Sequence, residues 1–254
     1  DTLNGRGRPW PWVQNLSIWS YIFSYFPAFD INCTTKLDPK KQYMFGVHPH
    51  GTLATCRALF GFDIDALWHN AFPGIDFRVL TATAALRLPV IRELWMWTHC
   101  IDANKGTARR ALKKGLSLLV YPGGEREQMM TEKGKHKLFL KSRKGFVKLA
   151  IEQEASLVPI YIFGETDMFT HHSFLIGARK WLVAKLGIAI PLISARFGLL
   201  PYQVPINAVS GPPIATSTTD NVDEVHARYM QAVQDLFEKH KAQYAAPDAV
   251  LEIF

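Results

Sequence analysis

The chain of 254 residues is 48% hydrophobic and 20% charged, which suits one large domain with a sizeable core and excludes a disordered chain. Three cysteines with no Cys-x-x-Cys pair exclude a disulfide scaffold and an all-cysteine zinc site, and fit a reducing compartment. The formal net charge of +7 is uneven: from Asp220 onward acids outnumber bases seven to three, so the first 219 residues carry the anion-binding surface, whether for nucleic acid, anionic membrane or a phosphorylated small molecule.

Between Arg8 and Asp30 no residue is charged. The stretch holds eight aromatics, yet three prolines and three serines interrupt it, and a spanning helix needs about 20 predominantly apolar residues. Residues 1–29 therefore read as a membrane-interface segment rich in Trp and Tyr, or as a lead-in packed on the domain. Residues 30–254 read as the domain itself. No signal peptide is legible, and the chain opens on Asp1 and not on Met, which suggests a missing start.

Tyr43–Val47 reads as a strand ended by Pro49, followed by a short helix over Thr52–Phe60. Phe77–Ala82 is a second strand, and Ala84 to Trp97 a helical stretch. Thr107–Lys114 is a helix stopped at Gly115. Leu116–Tyr121 is a buried strand stopped by Pro122-Gly123-Gly124. Ser142 stands as the cap of a helix through Glu154, and Leu157–Phe163 as another strand. Residues 186–213 give only a weak secondary-structure signal. Asp220 opens an amphipathic helix with Val222, Val225, Tyr229, Val233 and Phe237 on one face. The alternation predicts an α/β fold, a mostly parallel sheet flanked by helices.

Four constellations carry chemistry. His48-Pro49-His50-Gly51 closes a strand and opens a helix, where open α/β sheets place their sites; a neutral imidazole there suits a general base near pH 7. Two histidines satisfied by loop backbone are the plainer alternative. A His-x-His pair also suits a metal, with Asp167, Glu165 and His171-His172 as further donors, but no spacing motif joins them and no metal site is expected. Gly123-Gly124-Glu125-Arg126-Glu127 follows a buried strand and offers backbone N–H groups and a guanidinium to an oxyanion or phosphate; alone it equally reads as a tight turn. Lys133 to Lys148 holds seven Lys or Arg, including Lys141, Arg143 and Lys144, with no acid before Glu152. It suits a polyanionic cofactor or acidic lipid, or is a solvated face, and lacks any nucleic-acid motif. Gly164-Glu165-Thr166-Asp167 ends an apolar strand, its acids read as solvated unless they serve a site.

In order, Tyr25-Phe26-Pro27, His48-Pro49-His50-Gly51, Gly123-Gly124-Glu125-Arg126-Glu127, Arg143-Lys144-Gly145-Phe146-Val147 and Val158-Pro159 through Gly164-Glu165-Thr166-Asp167 resemble the YFP, HPHG, GGxxE, RxGF and VP…FGEND motifs of one family. It is the type-2 diacylglycerol acyltransferases, with their monoacylglycerol acyltransferase and wax-synthase relatives. Phe72-Pro73-Gly74-Ile75 and Phe197-Gly198-Leu199-Leu200-Pro201 also look like family segments, so the resemblance runs over nearly the whole chain from Tyr25. Thr166 stands where the family has Asn, and Ser194-Ala195-Arg196 where many members have Gly-Arg-Gly. The hydrophobic hairpin with which members usually begin is not found. Either the sequence is truncated, or the stretch from Arg8 to Asp30 and mid-chain apolar segments do the anchoring.

The resemblance implies a glycerolipid-acyltransferase-like fold and acyl transfer from acyl-CoA, a co-substrate and not a bound cofactor, to a lipid hydroxyl. The main reading is diacylglycerol to triacylglycerol; monoacylglycerol, a wax alcohol or phytol are alternative acceptors. It places the protein on the cytosolic face of the endoplasmic reticulum membrane or on a lipid droplet. His50 is the expected base, with His48 or Glu127 orienting it. Gly123, Gly124, Arg126, Lys141, Arg143 and Lys144 are expected to hold the donor. Related glycerol-phosphate acyltransferases use His-x-x-x-x-Asp, but Leu53 and Thr55 stand at the corresponding offsets here, so the orienting acid must come from elsewhere. A metal-dependent hydrolase and a non-catalytic lipid-binding protein are the readings from other classes; neither explains the ordered motifs.

Overall fold

The computed structural model describes residues 2–62, 64–172, 174, 177–179, 181, 192–198 and 200–254. Its centre is a seven-stranded sheet of β1 (Phe29–Cys33), β2 (Tyr43–His48), β3 (Phe77–Thr81), β4 (Cys100–Asp102), β5 (Ser117–Val120), β7 (Ser156–Phe163) and β10 (Ile206–Ser210), in the spatial order β1-β10-β7-β2-β5-β3-β4. The block β7-β2-β5-β3-β4 is parallel throughout. β10 runs antiparallel to β7, and β1 runs parallel to β10. The sheet is thus mostly parallel, as the alternation of strands and helices implies, with a reversed pair along one side. Small pairs join β6 (His136–Leu138) to β11 (Leu251–Ile253), and β8 (Thr170–His171) to β9 (Ile193–Ser194).

All six residues of β2 are buried, as expected of a strand covered on both faces. Side chains alternate between two cores. Tyr43, Phe45, Val47, Val79, Leu119, Val158, Ile160 and Ile162 meet α3 (Ala58–Gly61), α4 (Leu67–Ala71) and the aromatic start of the chain. Met44, Leu118, Leu157, Tyr161 and Phe163 meet α6 (Lys105–Leu112), α8 (Gly145–Glu152) and α9 (Val222–Tyr244). Helix α9 buries Val225, Tyr229, Val233 and Phe237, the stripe legible in the sequence, and adds His226 and Leu236. Its cap is Asn221, whose side chain accepts from the Asp223 and Glu224 N–H groups.

Several elements differ from the sequence reading. The stretch expected as one helix from Ala84 to Trp97 is a turn at Ala85–Arg87 and then α5 (Ile91–Trp97), because Pro89 cannot continue a helix and Val90 turns to φ +66°. The helix expected from Thr52 begins as a tight turn at Thr55–Arg57, after Ala54 at φ +49°. Helix α8 starts at Gly145 with no side-chain cap, so Ser142 does not cap it. The Gly-Gly-Glu-Arg-Glu segment is a short helix, α7 (Gly124–Gln128), and not a bare turn. β1 and β10 were not legible as strands.

The aromatic start divides between core and surface. Phe26 is buried, and the Tyr25 hydroxyl donates to the Pro201 carbonyl at 2.7 Å, so Tyr-Phe-Pro docks onto the segment around Pro201. Trp10 sits on Trp97 with ring centres 5.0 Å apart, while Trp12, Ile18, Tyr21 and Ile22 face outward from α1 (Pro11–Gln14) and α2 (Ile18–Phe23). Ahead of them, the chain passes from β4 to α6: the Thr2 carbonyl accepts from the Asp102 N–H, and the Leu3 carbonyl from the Thr107 and Arg110 side chains.

Candidate active site

The site is built where β2 ends. His48 is the last residue of β2 and points to the α9 side, wholly buried. Its Nε2 lies 2.9 Å from the Tyr229 hydroxyl, which itself donates to the Gly46 carbonyl at 3.1 Å. Any side chain at Gly46 would overlap that hydroxyl. Burial lowers the His48 pKa to about 3, so this ring stays neutral. The expectation that His48 could orient His50 meets a correction here: His48 ties β2 to α9 through Tyr229 inside the core.

The His48–Pro49 bond is cis, and the chain then carries His50 half-buried above the sheet end. The His50 Nδ1 is 3.1 Å from the Gly51 carbonyl. A carbonyl only accepts, so Nδ1 carries the hydrogen and Nε2 keeps a free lone pair. Burial lowers the His50 pKa, with the Gly51 carbonyl opposing it in part. The Tyr121 ring stands edge-on to the imidazole at 5.4 Å.

Two buried carboxylates flank this loop. Glu127, 1% exposed, reaches from α7: its Oε1 accepts the His50 backbone N–H at 2.5 Å and its Oε2 the Phe139 N–H at 2.8 Å. It therefore holds His50 by the main chain and not by the ring. Glu165, 2% exposed, accepts from the Thr55 N–H at 3.2 Å and the Cys56 N–H at 2.8 Å. Burial raises each pKa to about 7, against the opposing effect of those N–H groups. Gly123 and Gly51 make the room: a Cβ at Gly123 would overlap Glu127, and one at Gly51 would overlap Glu165. Thr52 adds a further tie, its hydroxyl meeting His171 Nε2 and its carbonyl accepting from the Gln128 amide.

The expected donor-binding residues divide. Arg143 donates to the Gly123 carbonyl at 3.0 Å, and the guanidinium centres of Arg143 and Arg126 stand 5.1 and 5.5 Å from the centre of the Phe139 ring. Partial burial, then the like charge of Arg126, lowers the Arg143 pKa. Arg126 and Lys141 are exposed. The Gly124 N–H is already bonded to the Tyr121 carbonyl at 3.2 Å, which removes it as an anion donor. Lys144 pairs with Asp223 at 2.8 Å, at the start of α9. The strand-end acids are not solvated as expected: Glu165 is buried as described, and Asp167 accepts from the Gly134 N–H at 2.9 Å. Among the described residues no three His, Cys, Asp or Glu side chains form a metal-ligand group.

Sequence reasoning gave no site role to Glu165, weighed as a metal donor or solvated acid and otherwise only quoted within a family motif, nor to Thr52, Tyr121, Gln128 and Tyr229. A glutamate directly after a buried strand and a glycine was the available signal. A cavity of about 270 Å³ lined by Phe60, Trp68, Ile75, Phe77 and His99 lies at the amino ends of β3 and β4, the opposite end of the sheet from His50.

A family model described as diacylglycerol acyltransferase matches residues 2–254. The chain is 35% identical over 275 residues to 2-acylglycerol O-acyltransferase 1 of Bos taurus, covering 100% of this chain and 81% of the relative. It is likewise 35% identical over 275 residues to diacylglycerol O-acyltransferase 2 of Mus musculus, covering 70% of that protein. It is 35% identical over 269 residues to diacylglycerol O-acyltransferase 2A of Umbelopsis ramanniana, covering 97% of this chain and 75% of the relative. Among solved structures, the 1-acyl-sn-glycerophosphate acyltransferase PlsC of Thermotoga maritima matches with a TM-score of 0.55 at 12% identity, over 89% of this chain and 78% of that one, a likeness of fold.

The raised Glu127 pKa favours its protonated form in the fold. Its contribution to stability is complete below 4.5 and is lost as pH rises through 7. Glu127→Gln cannot ionise, so its stability relative to wild type should improve between pH 5 and pH 8 by about 2–3 kcal/mol, read from denaturant melts at both values. A difference that stays flat with pH would show that Glu127 is ionised throughout.

Proposed function

The chain belongs to the diacylglycerol acyltransferase family, as an acyl-CoA-dependent acyltransferase, and from that premise we propose that His50 is the general base of the transfer. The observation that carries this reading is the bond from His50 Nδ1 to the Gly51 carbonyl, which leaves Nε2 as the bare acceptor at the carboxyl end of β2. The acceptor hydroxyl attacks the thioester carbonyl while Nε2 takes its proton. The tetrahedral intermediate then collapses, the C–S bond breaks, and the imidazolium returns the proton to the departing CoA thiolate. No Ser or Cys nucleophile is required. The reaction makes triacylglycerol from diacylglycerol; one relative is named for 2-acylglycerol, so monoacylglycerol is the second acceptor to test.

His50→Ala should lower turnover by about 10²–10⁴-fold with labelled acyl-CoA and diacylglycerol in vesicles, at an unchanged melting temperature. A folded variant within a few-fold of wild type would remove His50 from the chemistry. His48→Ala should instead lower the melting temperature, because it empties a wholly buried site and leaves the Tyr229 hydroxyl with only its bond to the Gly46 carbonyl.

Arg126, Lys141 and Arg143 form the face we assign to the phosphates of CoA. Gly123 supports it by binding Arg143 through its carbonyl, and Lys144, held by Asp223, contributes less. Exposed charges act through solvent and are screened over about 8 Å at physiological ionic strength. Arg126→Ala with Lys141→Ala should therefore raise the KM for acyl-CoA at low salt and have a smaller effect at high salt. An unchanged KM with weaker vesicle binding would make the face a lipid-headgroup surface.

Among the described residues no helix is long and apolar enough to cross a membrane. The outward-facing Trp12, Ile18, Tyr21 and Ile22 support anchoring at a bilayer interface, and the basic first 219 residues favour anionic headgroups. The acceptor itself stays in the bilayer, since each buried methylene contributes about 0.8 kcal/mol. The cytosolic face of the endoplasmic reticulum membrane, or a lipid droplet, is the location this reading assigns. Because Phe26 and Val13 are core residues, the informative change is Trp12→Glu with Tyr21→Glu and not removal of the segment. That pair should move the protein from floating vesicles to the soluble fraction; equal flotation would make these side chains bystanders.

A further inference from the structure

We propose that Glu165 is a positioning residue for His50: its carboxylate, seated under the Gly51 peptide and the Thr55–Arg57 turn, holds the Gly51 carbonyl where it fixes the His50 tautomer. The inference rests on the reading of His50 as the base and adds a residue that neither touches substrate nor belongs to the His-Pro-His-Gly segment.

Three observations converge. Glu165 is 2% exposed and comes from the far end of β7, yet the Thr55 and Cys56 N–H groups that its oxygens accept lie five and six residues beyond His50. Ala54, just before them, is held at φ +49°, a conformation an alanine adopts at a cost, and the paired acceptors fix the two N–H groups that this bend presents together. Gly51, at φ +63°, lies so close that a Cβ would overlap the carboxylate, so the residue whose carbonyl bonds the imidazole packs its Cα against Glu165. Thus Glu165 is linked to His50 Nδ1 through Gly51, by a packing contact on one side and a hydrogen bond on the other. An acid that follows the His by five residues would hold Nδ1 directly; here a main-chain carbonyl does so, and Glu165 holds the main chain. Burial raises its pKa to about 7, so its environment is unlike that of a solvated strand-end acid.

The test compares Glu165→Gln, Glu165→Asp and His50→Ala in the full chain, assayed with acyl-CoA and diacylglycerol in vesicles. Gln keeps the volume but turns an amide NH₂ toward an N–H that needs an acceptor. A misplacement of about 1 Å can cost about 10²-fold, so the expected result is a fall of that order in kcat with the KM for acyl-CoA little changed. A folded Gln variant with kcat near wild type, or with only KM raised, overturns the proposal. If the Gln variant does not melt cooperatively, Asp decides through the imidazole ¹⁵N resonances of His50: a single Nδ1–H tautomer in wild type and a mixture in the variant are expected. An unchanged tautomer overturns the proposal. If His50→Ala keeps its activity, the base reading fails and takes this inference with it; if His50→Ala is inactive while Glu165→Gln is not, the inference alone fails.

Discussion

The hydrogen bonds of the buried Glu127 carboxylate organise everything around the site. One oxygen takes the His50 N–H and the other the Phe139 N–H, so a single side chain joins the end of β2 to the basic segment, with α7 between them. A carboxyl group in this setting is costly to ionise; the two backbone N–H groups, donors that cannot swing away, offset that cost in part. The same solution appears on the other side of the loop at Glu165. The loop carrying His50 is clamped through its main-chain N–H groups by a glutamate on each side, and of the imidazole only Nδ1 is engaged, by the Gly51 carbonyl.

That arrangement explains why two glycines sit where they do. Gly51 and Gly123 belong to different motifs, yet each exists in the structure as the space that a glutamate fills. Gly46 makes the equivalent space for the Tyr229 hydroxyl, which binds His48. The two histidines of the motif are thereby separated in place by the pleat of β2 and by the chain's departure from it. His48 follows the strand into the α9 core, while His50 has left the sheet.

Much of this was legible in the sequence. The strand ending at Pro49, the buried strands over 116–121 and 157–163 and the α9 stripe follow from periodicity and breakers, and the ordered motifs carried the family. The unread strands have clear reasons. β1, with Asp30 and Asn32 between Phe29, Ile31 and Cys33, and β10, with Asn207 in a five-residue run, lack the unbroken apolar character of the central strands. The role of Glu165 was illegible because its partners are backbone N–H groups 109 and 110 residues away, and backbone donors leave no signature in a sequence. Lys144 looked like part of a free cationic face because its partner, Asp223, lies 79 positions on.

The path of residues 2 and 3 beside β4 bears on a different property. β4 is three residues long and stands at the outer margin of the sheet, where unpaired N–H and C=O groups invite pairing with another chain. The Thr2 carbonyl takes the Asp102 N–H at this margin, and the next carbonyl, of Leu3, is held by the Thr107 and Arg110 side chains of α6, so the protein's own chain occupies one donor of the β4 edge. This contact lies at the opposite side of the parallel block from β7 and outside the His50 loop. Disturbing it would expose a template for self-association, a colloidal fault that light scattering would register while the chemistry of each molecule stayed intact.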